Sequence, residues 1–428
     1  MPLSENVNKG NGKEESRPIK IVRILARMNI GGPSIHAVFL TEGLNSAKFR
    51  SVLVTGVIGR AEGDMAYFAK QRGVTPLIVP ELGREISWWI DLVCVWKLYR
   101  LLVRERPDIV HTHTSKAGAV GRVAAMLARV PIRIHTFHGH VFHDYFGPLK
   151  TRLFILIERW LAFATTRIVA ISQEQLADLF GRYRIAPREK FALIPLGLEL
   201  APFLRGQESR HNPGGNGREV VIGFIGRLVP IKNPQMAIQA FKRLVDLGTG
   251  ERPVRLVIVG DGELKTDLEK QVQQAGLQHL VEFTGWRQDL ADLYASLDLV
   301  ILTSLNEGTP VTLLEAMAGG LPFVATRVGG VLDLMCGTEQ AMSGTSGRGQ
   351  FSLFLNGAVV EPNDVEGFAA AVKYLLSDPP MMQRMGVEGR RLARAQYSRE
   401  RLLRDMETLY LKCLESDSHP TRGLACTI

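Results

Sequence analysis

Short β-branched runs alternate with longer helical stretches along nearly the whole chain, and this alternation limits the fold more than any other feature. The runs "IKIVRILA", "SVLVTGV", "DIVHTHT", "IRIHTFH" and "RIVAIS" are typical of buried strands. Helical patterns lie between them, for example at residues 86–106 and 116–129. The alternation starts again with "VVIGFIG", "VRLVIVG", "LVEFTG", "LDLVILTS" and "LPFVATRV". Two such series predict an α/β protein with two doubly wound, Rossmann-like parallel sheets that face a central cleft.

The two series are joined by a polar, glycine-rich stretch, "RGQESRHNPGGNGRE", whose composition is typical of a linker. The first residues are polar, and we expect them to be disordered. The predicted segments are 1–18 (lead-in), 19–204 (first, acceptor domain), 205–218 (linker), 219–397 (second, donor domain), 398–415 (C-terminal helix) and 416–428 (frayed tail). The glycine- and serine-rich residues 335–357 are expected to form a surface loop before a late strand.

Composition narrows the class of protein. With 46% hydrophobic and 22% charged residues in 428, the chain has an ordinary globular composition. Its four cysteines are scattered without metal-binding spacing, which favours a reducing cytoplasm. It has no apolar N-terminal segment and no uncharged apolar run of about 18 residues, so we expect neither a signal peptide nor a membrane span.

The charge is unevenly distributed between the two halves. Residues 1–200 carry 28 Lys and Arg against 17 Asp and Glu, whereas residues 201–428 carry 24 against 26. A basic first half indicates an anionic partner, although many soluble proteins are simply basic. No nucleic-acid-binding signature is present, so nucleic acid is discarded. An anionic membrane surface, reached from the cytoplasmic side, is the other candidate. The amphipathic stretch 86–106 would fit it, but we expect this helix to pack in the core.

The stretch "NEGTPVTLLEAMAGG" (306–320) follows a strand and begins a helix. In such sheets ligands bind beyond the carboxyl ends of the strands. The unpaired amides and partial positive charge of a helix start attract a phosphate, and Gly308 lets it approach the backbone. Thr309 is predicted to cap the helix, with Pro310 at its first position. Glu307 would then face the group attached to the phosphate.

Glu315 would lie in the second turn of that helix among apolar residues. An unpaired carboxylate buried there is costly, so it is predicted either to pair inside the protein, for example with an arginine, or to accept hydrogen bonds from a ligand's hydroxyls. A second segment, "GFIGRLVPIKNP", places Arg227 and Lys232 after another strand. Two cations at a strand end suit a diphosphate, and solvated loop charges are the alternative.

The glycine pair in "ILARMNIGGPSIH" follows the first strand but is not a dinucleotide fingerprint. It still allows a ligand to approach the backbone closely. His36, just beyond it, is read as a helix-face residue and not as a catalyst.

The segment "HTFHGHVFHDYF" contains His135, His138, His140 and His143. Histidine clusters can bind metal. However, alternate strand residues point to opposite faces, and no carboxylate or cysteine completes a ligand set nearby. We therefore predict no metal site here, and one histidine at the strand end that faces the cleft.

Six motifs in this order resemble the retaining nucleotide-sugar glycosyltransferases of the GT-B fold, family four (glycosyl transferases group one). They are Gly31–Gly32, "FHG", "GRLVPIK", "VIVGDG", "VEFTGW" and the two glutamates of 306–320, and the resemblance covers about residues 19–415. It implies a hexosyl- or N-acetylhexosaminyl-transferase that needs no metal or other cofactor and uses a nucleotide-sugar, with a UDP-sugar favoured. It also implies front-face attack, in which the leaving phosphate accepts the acceptor's proton.

The resemblance assigns roles to individual residues. The implied catalytic residues are His138 and Glu307. The implied donor-binding residues are Gly31, Gly32, Arg227, Lys232, Gly308, Thr309 and Glu315. The implied nucleobase pocket contains Gly260, Trp286 and Arg287. Glu307 would bind the hydroxyls of the transferred sugar and Glu315 those of the ribose.

The acceptor is indicated by a looser likeness. "HTHTSKAGAVGR" and "TFHGHVFHDYF" resemble stretches of bacterial enzymes that build cell-surface polysaccharides on a lipid carrier. The expected acceptor is therefore a glycan, or a glycan linked to polyprenyl diphosphate, held by the first domain. A nucleotide-sugar epimerase of the same fold and a non-catalytic scaffold remain as alternatives. The 335–357 insertion and Thr309–Pro310 depart from the family pattern and leave the donor sugar open.

Overall fold

A computed structural model describes residues 17–59, 63–83, 87–139, 147–205, 218–248, 252–343 and 349–418. Its frame is two largely parallel sheets with helices packed on both faces, which confirms the predicted fold class. The predicted lead-in (1–18), linker (205–218) and tail (416–428) lie almost wholly outside the described residues. The exact domain boundaries therefore stay predictions.

The first sheet is parallel throughout. Its strands, among the described residues, are β1 (Ile19–Arg27), β2 (Phe49–Gly56), β3 (Leu77–Ile78), β4 (Ile109–His113), β5 (Ile132–Phe137), β6 (Arg167–Ala170) and β7 (Phe191–Leu193). They are ordered β3–β2–β1–β4–β5–β6–β7. The strand order reverses between β1 and β4, and ligands bind at such a crevice in doubly wound sheets. The accompanying helices are α1 (Gly32–Gly43), α2 (Ala66–Gln71), α3 (Trp88–Glu105), α4 (Ser115–Leu127), α5 (Pro148–Phe163), α6 (Gln173–Ala177) and α7 (Ala201–Arg205).

The second sheet is mixed at one edge. Its strands, within the described ranges, are β8 (Val220–Ile225), β9 (Val254–Val259), β10 (Val281–Gly285), β11 (Leu299–Leu302), β12 (Phe323–Thr326), β13 (Gln340–Ser343), β14 (Gln350–Phe354) and β15 (Gly357–Val360). The order is β10–β9–β8–β11–β12–β15–β14–β13, with β13 and β14 antiparallel to their neighbours. The remaining helices are α8 (Pro234–Asp246), α9 (Lys265–Gln274), α10 (Leu290–Ser296), α11 (Val311–Ala318), α12 (Val365–Ser377), α13 (Pro379–Gln396) and α14 (Arg399–Ser418).

The last helix returns to the first sheet. The predicted C-terminal helix is α14, and Leu402, Met406 and Tyr410 on it are fully buried against the first domain's core. The Tyr410 hydroxyl lies 2.6 Å from Nδ1 of His111 on β4 and accepts a hydrogen bond from Arg23 on β1. The final helix therefore ties the end of the chain to the middle of the first sheet.

Two expectations about surface and core are wrong. Part of 335–357 forms β13 and β14, so this segment extends the second sheet and is not a plain surface loop. The helix predicted at 86–106 is α3, but it buries only Cys94, Leu98 and Leu102 and exposes most of its other apolar side chains. Among the described residues, no helix is both long and apolar enough to cross a membrane.

Candidate active site

The two sheets face each other across a cleft of about 600 Å³, which lies beyond the carboxyl ends of their strands. This volume is typical of small-molecule sites. Eleven of the twelve predicted site residues line it: Gly31, Gly32, His138, Arg227, Lys232, Trp286, Arg287, Glu307, Gly308, Thr309 and Glu315. Gly260 lies behind the lining instead, where a Cβ would be 1.9 Å from the carbonyl oxygen of Gly226. Gly260 thus leaves room for the turn that presents Arg227, so its predicted place in a base pocket is not supported.

Glycines bring the two halves of the cleft together. A Cβ on Gly308 would lie 2.5 Å from the carbonyl oxygen of His138, across the cleft. A Cβ on Gly32, at the start of α1, would lie 3.1 Å from Cγ2 of Val311, the first residue of α11. Because no larger residue fits Gly308 without a shift, this glycine sets how closely the β11–α11 turn approaches β5.

The start of α11 differs from the prediction. The residue at the cap position is Pro310, and the helix begins at Val311. Thr309 lies one residue before the cap position and does not cap the helix; its hydroxyl instead donates a long hydrogen bond of 3.4 Å to the carbonyl of Ile171 in the first domain. The first turn of α11 nevertheless lines the cleft through Val311 and Thr312, so its amide end faces the cleft, and a helix start of this kind attracts anions.

Glu307 is held by two donors. Its Oε1 accepts a hydrogen bond of 2.5 Å from Nζ of Lys232 and one of 2.6 Å from Oγ of Ser304. The Glu307 carboxylate side chain is only 8% exposed. Lys232 is therefore not a solvated loop cation: it is paired to the carboxylate predicted to bind the sugar. Arg227 lines the same wall of the cleft.

Glu315 has a tyrosine partner and not an arginine. Oε2 of Glu315 lies 2.8 Å from the hydroxyl of Tyr294 on α10, and that hydroxyl also lies 3.1 Å from the carbonyl of Thr312. Burial raises the pKa of the Glu315 carboxyl to about 7, although the Tyr294 hydrogen bond opposes this rise. A single phenol proton satisfies only one acceptor, so Glu315 keeps capacity for donors from the cleft.

Three histidines from separate elements meet beside the cleft. Ring nitrogens of His36 (α1), His113 (β4) and His138 (after β5) all lie within 4.8 Å of one another. Nδ1 of His113 is 3.0 Å from Nε2 of His138, so one ring donates and the other accepts. Burial lowers the pKa of His138 to about 3 and holds the pKa values of His36 and His113 well below the usual range. At neutral pH all three rings are uncharged.

This trio adds detail that the sequence did not give. His36 lies on a helix face, as predicted, but that face is buried: its ring centroid is 4.9 Å from that of His138, and it packs behind the residues that line the cleft. Three histidines could form a zinc ligand set, which sequence reasoning did not foresee. The buried Arg23 guanidinium acts on His36 and His113 and opposes an added cation there. Of the other cluster members, His135 is bound to Thr112 away from the cleft, and His140 and His143 lie outside the described residues.

Some residues that line the cleft were not predicted from the sequence. Asp64 and Tyr67 line its first-domain wall, where an acceptor is expected. They come from a short turn and helix without any motif, so no local signal marked them. At the opposite rim, Trp286 is part-exposed, and Arg287 donates from Nε to Asp289 over 2.6 Å. Trp286 and Arg287 thus form an open edge, and their predicted contact with a nucleobase stays a prediction.

Solved structures show which class of fold this is. HepE of Anabaena, solved with UDP and glucose, superimposes with a TM-score of 0.73 at 19% identity, over 92% of this chain and 100% of that chain. Sucrose-phosphate synthase of Thermosynechococcus elongatus superimposes with a TM-score of 0.71 at 20% identity, over 93% and 100%. The fold is GT-B, in agreement with the prediction.

Sequence comparisons identify the family. Residues 30–201 match the model "Glycosyltransferase Family 4", and residues 206–392 match "Glycosyl transferases group 1". An Escherichia coli UDP-Gal:alpha-D-GlcNAc-diphosphoundecaprenol alpha-1,3-galactosyltransferase is 33% identical over 314 residues, 71% of this chain and 76% of that protein. The Staphylococcus aureus capsular polysaccharide biosynthesis glycosyltransferase CapM is 26% identical over 78% of this chain and 84% of its own. The chain belongs to the family 4, group 1 glycosyltransferases.

Proposed function

We propose that this glycosyltransferase moves a hexose or N-acetylhexosamine from a UDP-sugar to a glycan on polyprenyl diphosphate, with retention of the anomeric configuration. The observation that carries the proposal is the cleft wall that Arg227, the start of α11 and the bonded pair Lys232–Glu307 line together. The E. coli relative, whose name includes a UDP-sugar and a diphosphoundecaprenol acceptor, supports the choice of substrates. CapM supports a place in cell-surface polysaccharide synthesis.

Arg227, Lys232 and the α11 amides would stabilise the leaving group. When the bond from the anomeric carbon to the diphosphate breaks, negative charge develops on the departing UDP. Preorganised cations and helix amides stabilise such charge most where water is excluded. Lys232, released from Glu307 by the incoming diphosphate, would bind the phosphate oxygens together with Arg227. In this proposal the cations and helix amides of the protein stabilise the charge on the leaving group, which other transferases stabilise with a metal ion.

Glu307 and His138 would position the sugar. The Glu307 carboxylate is already bound by Lys232 and Ser304, which favours a role in binding hydroxyls over one as a nucleophile. His138 is neutral, so it can accept or donate a hydrogen bond but supplies no positive charge. The acceptor oxygen would form its bond to the anomeric carbon on the face that UDP leaves. The acceptor's proton would pass to the departing phosphate oxygen.

A donor panel tests the proposal. UDP-, GDP- and ADP-sugars are incubated with purified protein in EDTA, and slow hydrolysis and sugar products are followed. Release of UDP alone is the expected result. An isomerised sugar with its diphosphate intact would point to an epimerase. No reaction with any donor, even after a polyprenyl-diphosphate glycan is added, would favour a scaffold.

A further inference from the structure

The outward side of α3 consists only of large apolar and cationic side chains. Eight apolar residues on it are exposed: Trp88, Trp89, Ile90, Leu92, Val93, Trp96, Tyr99 and Val103. The other exposed residues of this helix are Arg100 and Arg104. Trp88 and Trp89 are each 64% exposed and stack with ring centroids 3.7 Å apart. A helix that exposes tryptophan and arginine together is unusual for a surface that contacts only water.

The outward side of α5 repeats this composition. Its exposed apolar residues are Leu149, Leu153, Leu156, Ile157, Trp160 and Phe163. Its exposed polar residues, where burial is described, are Lys150, Arg152 and Arg159. Together α3 and α5 hold 14 of the 26 large apolar side chains exposed among the described residues, and four of the chain's five tryptophans. We call the exposed residues of α3 and α5 the α3–α5 face.

Acidic side chains on these helices are turned inward. Asp91 of α3 pairs with Lys116 of α4 at 2.8 Å, and Glu158 of α5 pairs with Arg122 of α4 at 2.7 Å, buried. Helix α4 contacts both α3 and α5, and these pairs fix the two helices beside it on one side of the sheet. The remaining acid, Glu105, accepts a hydrogen bond from Lys20 at 2.7 Å and one from Arg104 at 3.0 Å, so Arg104 is partly neutralised while Arg100, Lys150 and Arg152 are not paired with these acids. The charge presented outward by the α3–α5 face is therefore positive.

We propose that the α3–α5 face inserts into the headgroup region of an anionic lipid bilayer. Soluble monomers rarely expose so many neighbouring apolar side chains, and tryptophan with lysine or arginine is the composition of helices that lie in a membrane interface. A second copy of the chain fits less well, because a self-complementary contact would bring Arg100, Arg104, Lys150, Arg152 and Arg159 against one another. The positive charge of the α3–α5 face complements an anionic lipid surface and therefore favours lipid over a second copy of the chain.

The lipid surface is a partner in addition to the substrates of the proposed function. Lipid binding by the α3–α5 face does not depend on that function, and only the delivery of the acceptor to the cleft rests on it. Helices of a parallel sheet start where strands end, so the N-terminal ends of α3 and α5, at Trp88 and Pro148, lie at the edge of the sheet that faces the cleft. A chain docked through this face would hold the cleft mouth close to the bilayer. A glycan on a membrane-embedded lipid could then reach the first-domain wall without leaving the membrane.

Vesicle binding tests the inference without any reaction. The full chain is sedimented with vesicles of phosphatidylcholine alone, or with roughly one phosphatidylglycerol in three. Tryptophan emission is quenched in parallel with brominated lipid. We expect binding to the anionic vesicles, with strong quenching, and binding to phosphatidylcholine at least about tenfold weaker. Moderate salt should weaken the anionic binding.

Two variants make the test specific to this face. Leu92→Glu combined with Leu156→Glu places carboxylates on both helices at positions 57% and 60% exposed, so the fold should be kept. We expect it to lose vesicle binding by about tenfold or more while its donor hydrolysis stays unchanged. Val387→Glu, at a position 59% exposed on α13, is the matched control and should bind like the natural protein. The inference is overturned if the natural protein does not bind anionic vesicles, or if Val387→Glu loses as much vesicle binding as the double substitution. It is also overturned if light scattering shows dimers of the natural protein and monomers of the double variant, because the face would then be a contact between two copies. A silent donor panel with intact vesicle binding would overturn the proposed reaction alone.

Discussion

UDP should bind this protein with an affinity that rises with pH, and Glu315 should be the cause. The carboxyl is buried, and burial raises its pKa to about 7. If the ribose hydroxyls of UDP donate to Glu315, the ionised carboxylate is the form that binds them. Protonated carboxyls must then lose a proton as UDP binds. The affinity for UDP therefore falls as the pH drops below 7 and levels off above it.

The size of the effect follows from that pKa. With a value of about 7, only about one carboxyl in ten is ionised one pH unit lower. The apparent dissociation constant at about pH 6 should therefore be roughly tenfold higher than at about pH 8, a difference of about 1.4 kcal/mol. Near pH 7 binding should release about half a proton per UDP.

Isothermal titration calorimetry in buffers of different ionisation enthalpy measures both quantities. Glu315→Gln is the matched control, because it keeps the shape of the side chain and cannot titrate, while the titration of UDP itself is common to both proteins. The ratio of the UDP affinity of the natural protein to that of Glu315→Gln should change about tenfold between about pH 6 and about pH 8. Tyr294→Phe removes a donor to the carboxylate and should move the midpoint to higher pH. A ratio that stays constant with pH would refute the reasoning and leave Glu315 as a structural partner of Tyr294.

Three further predictions concern other residues on the same, second-domain wall of the cleft. Glu307→Ala should lower the rate of transfer by about a hundredfold or more and change the affinity for UDP little, because the proposed contacts of Glu307 are to the sugar. Measurement of kcat together with a UDP titration checks this, and loss of UDP binding would show that Glu307 is structural. Arg227→Ala with Lys232→Ala should weaken UDP binding by several kcal/mol, at about 2 for each charge-assisted contact; unchanged affinity would remove both from the diphosphate site. Gly308→Ala should sharply reduce transferase activity while the fold is kept, because the added Cβ would lie 2.5 Å from the carbonyl oxygen of His138 and must push the two walls apart. Full transferase activity would show that the close approach of Gly308 to His138 is not needed.

The sequence predicts the frame of this protein well because strand and helix patterns are local. The β-branched runs, the glycine pair and the turns after β8 and β11 all mark strand ends, and parallel topology brings strand ends to one edge. This is why eleven predicted residues line one cleft. Gly260 is the one predicted residue that does not line the cleft, because a motif glycine can serve the packing of a neighbouring turn, here that of Gly226.

The features that were missed depend on contacts between distant parts of the chain. Thr309 follows the rule for a helix cap but is drawn to Ile171 of the other domain. His36 on α1 meets the rings of His113 and His138 from two other elements, and no local pattern records such contacts between distant parts of the chain. Helix α3 is amphipathic and rich in large apolar residues, and such a helix is normally expected to pack its apolar side into the core. Its pattern does not reveal that only Cys94, Leu98 and Leu102 are buried in that core.

The anomeric configuration of the product tests the central claim most directly. The protein is supplied with a UDP-α-sugar and a short polyprenyl-diphosphate glycan in EDTA, and the new linkage is read from its proton coupling in the NMR spectrum. The account predicts an α-linked product with one UDP released for each bond formed. A β-linked product would contradict the retaining reaction and the front-face geometry proposed for Glu307 and His138.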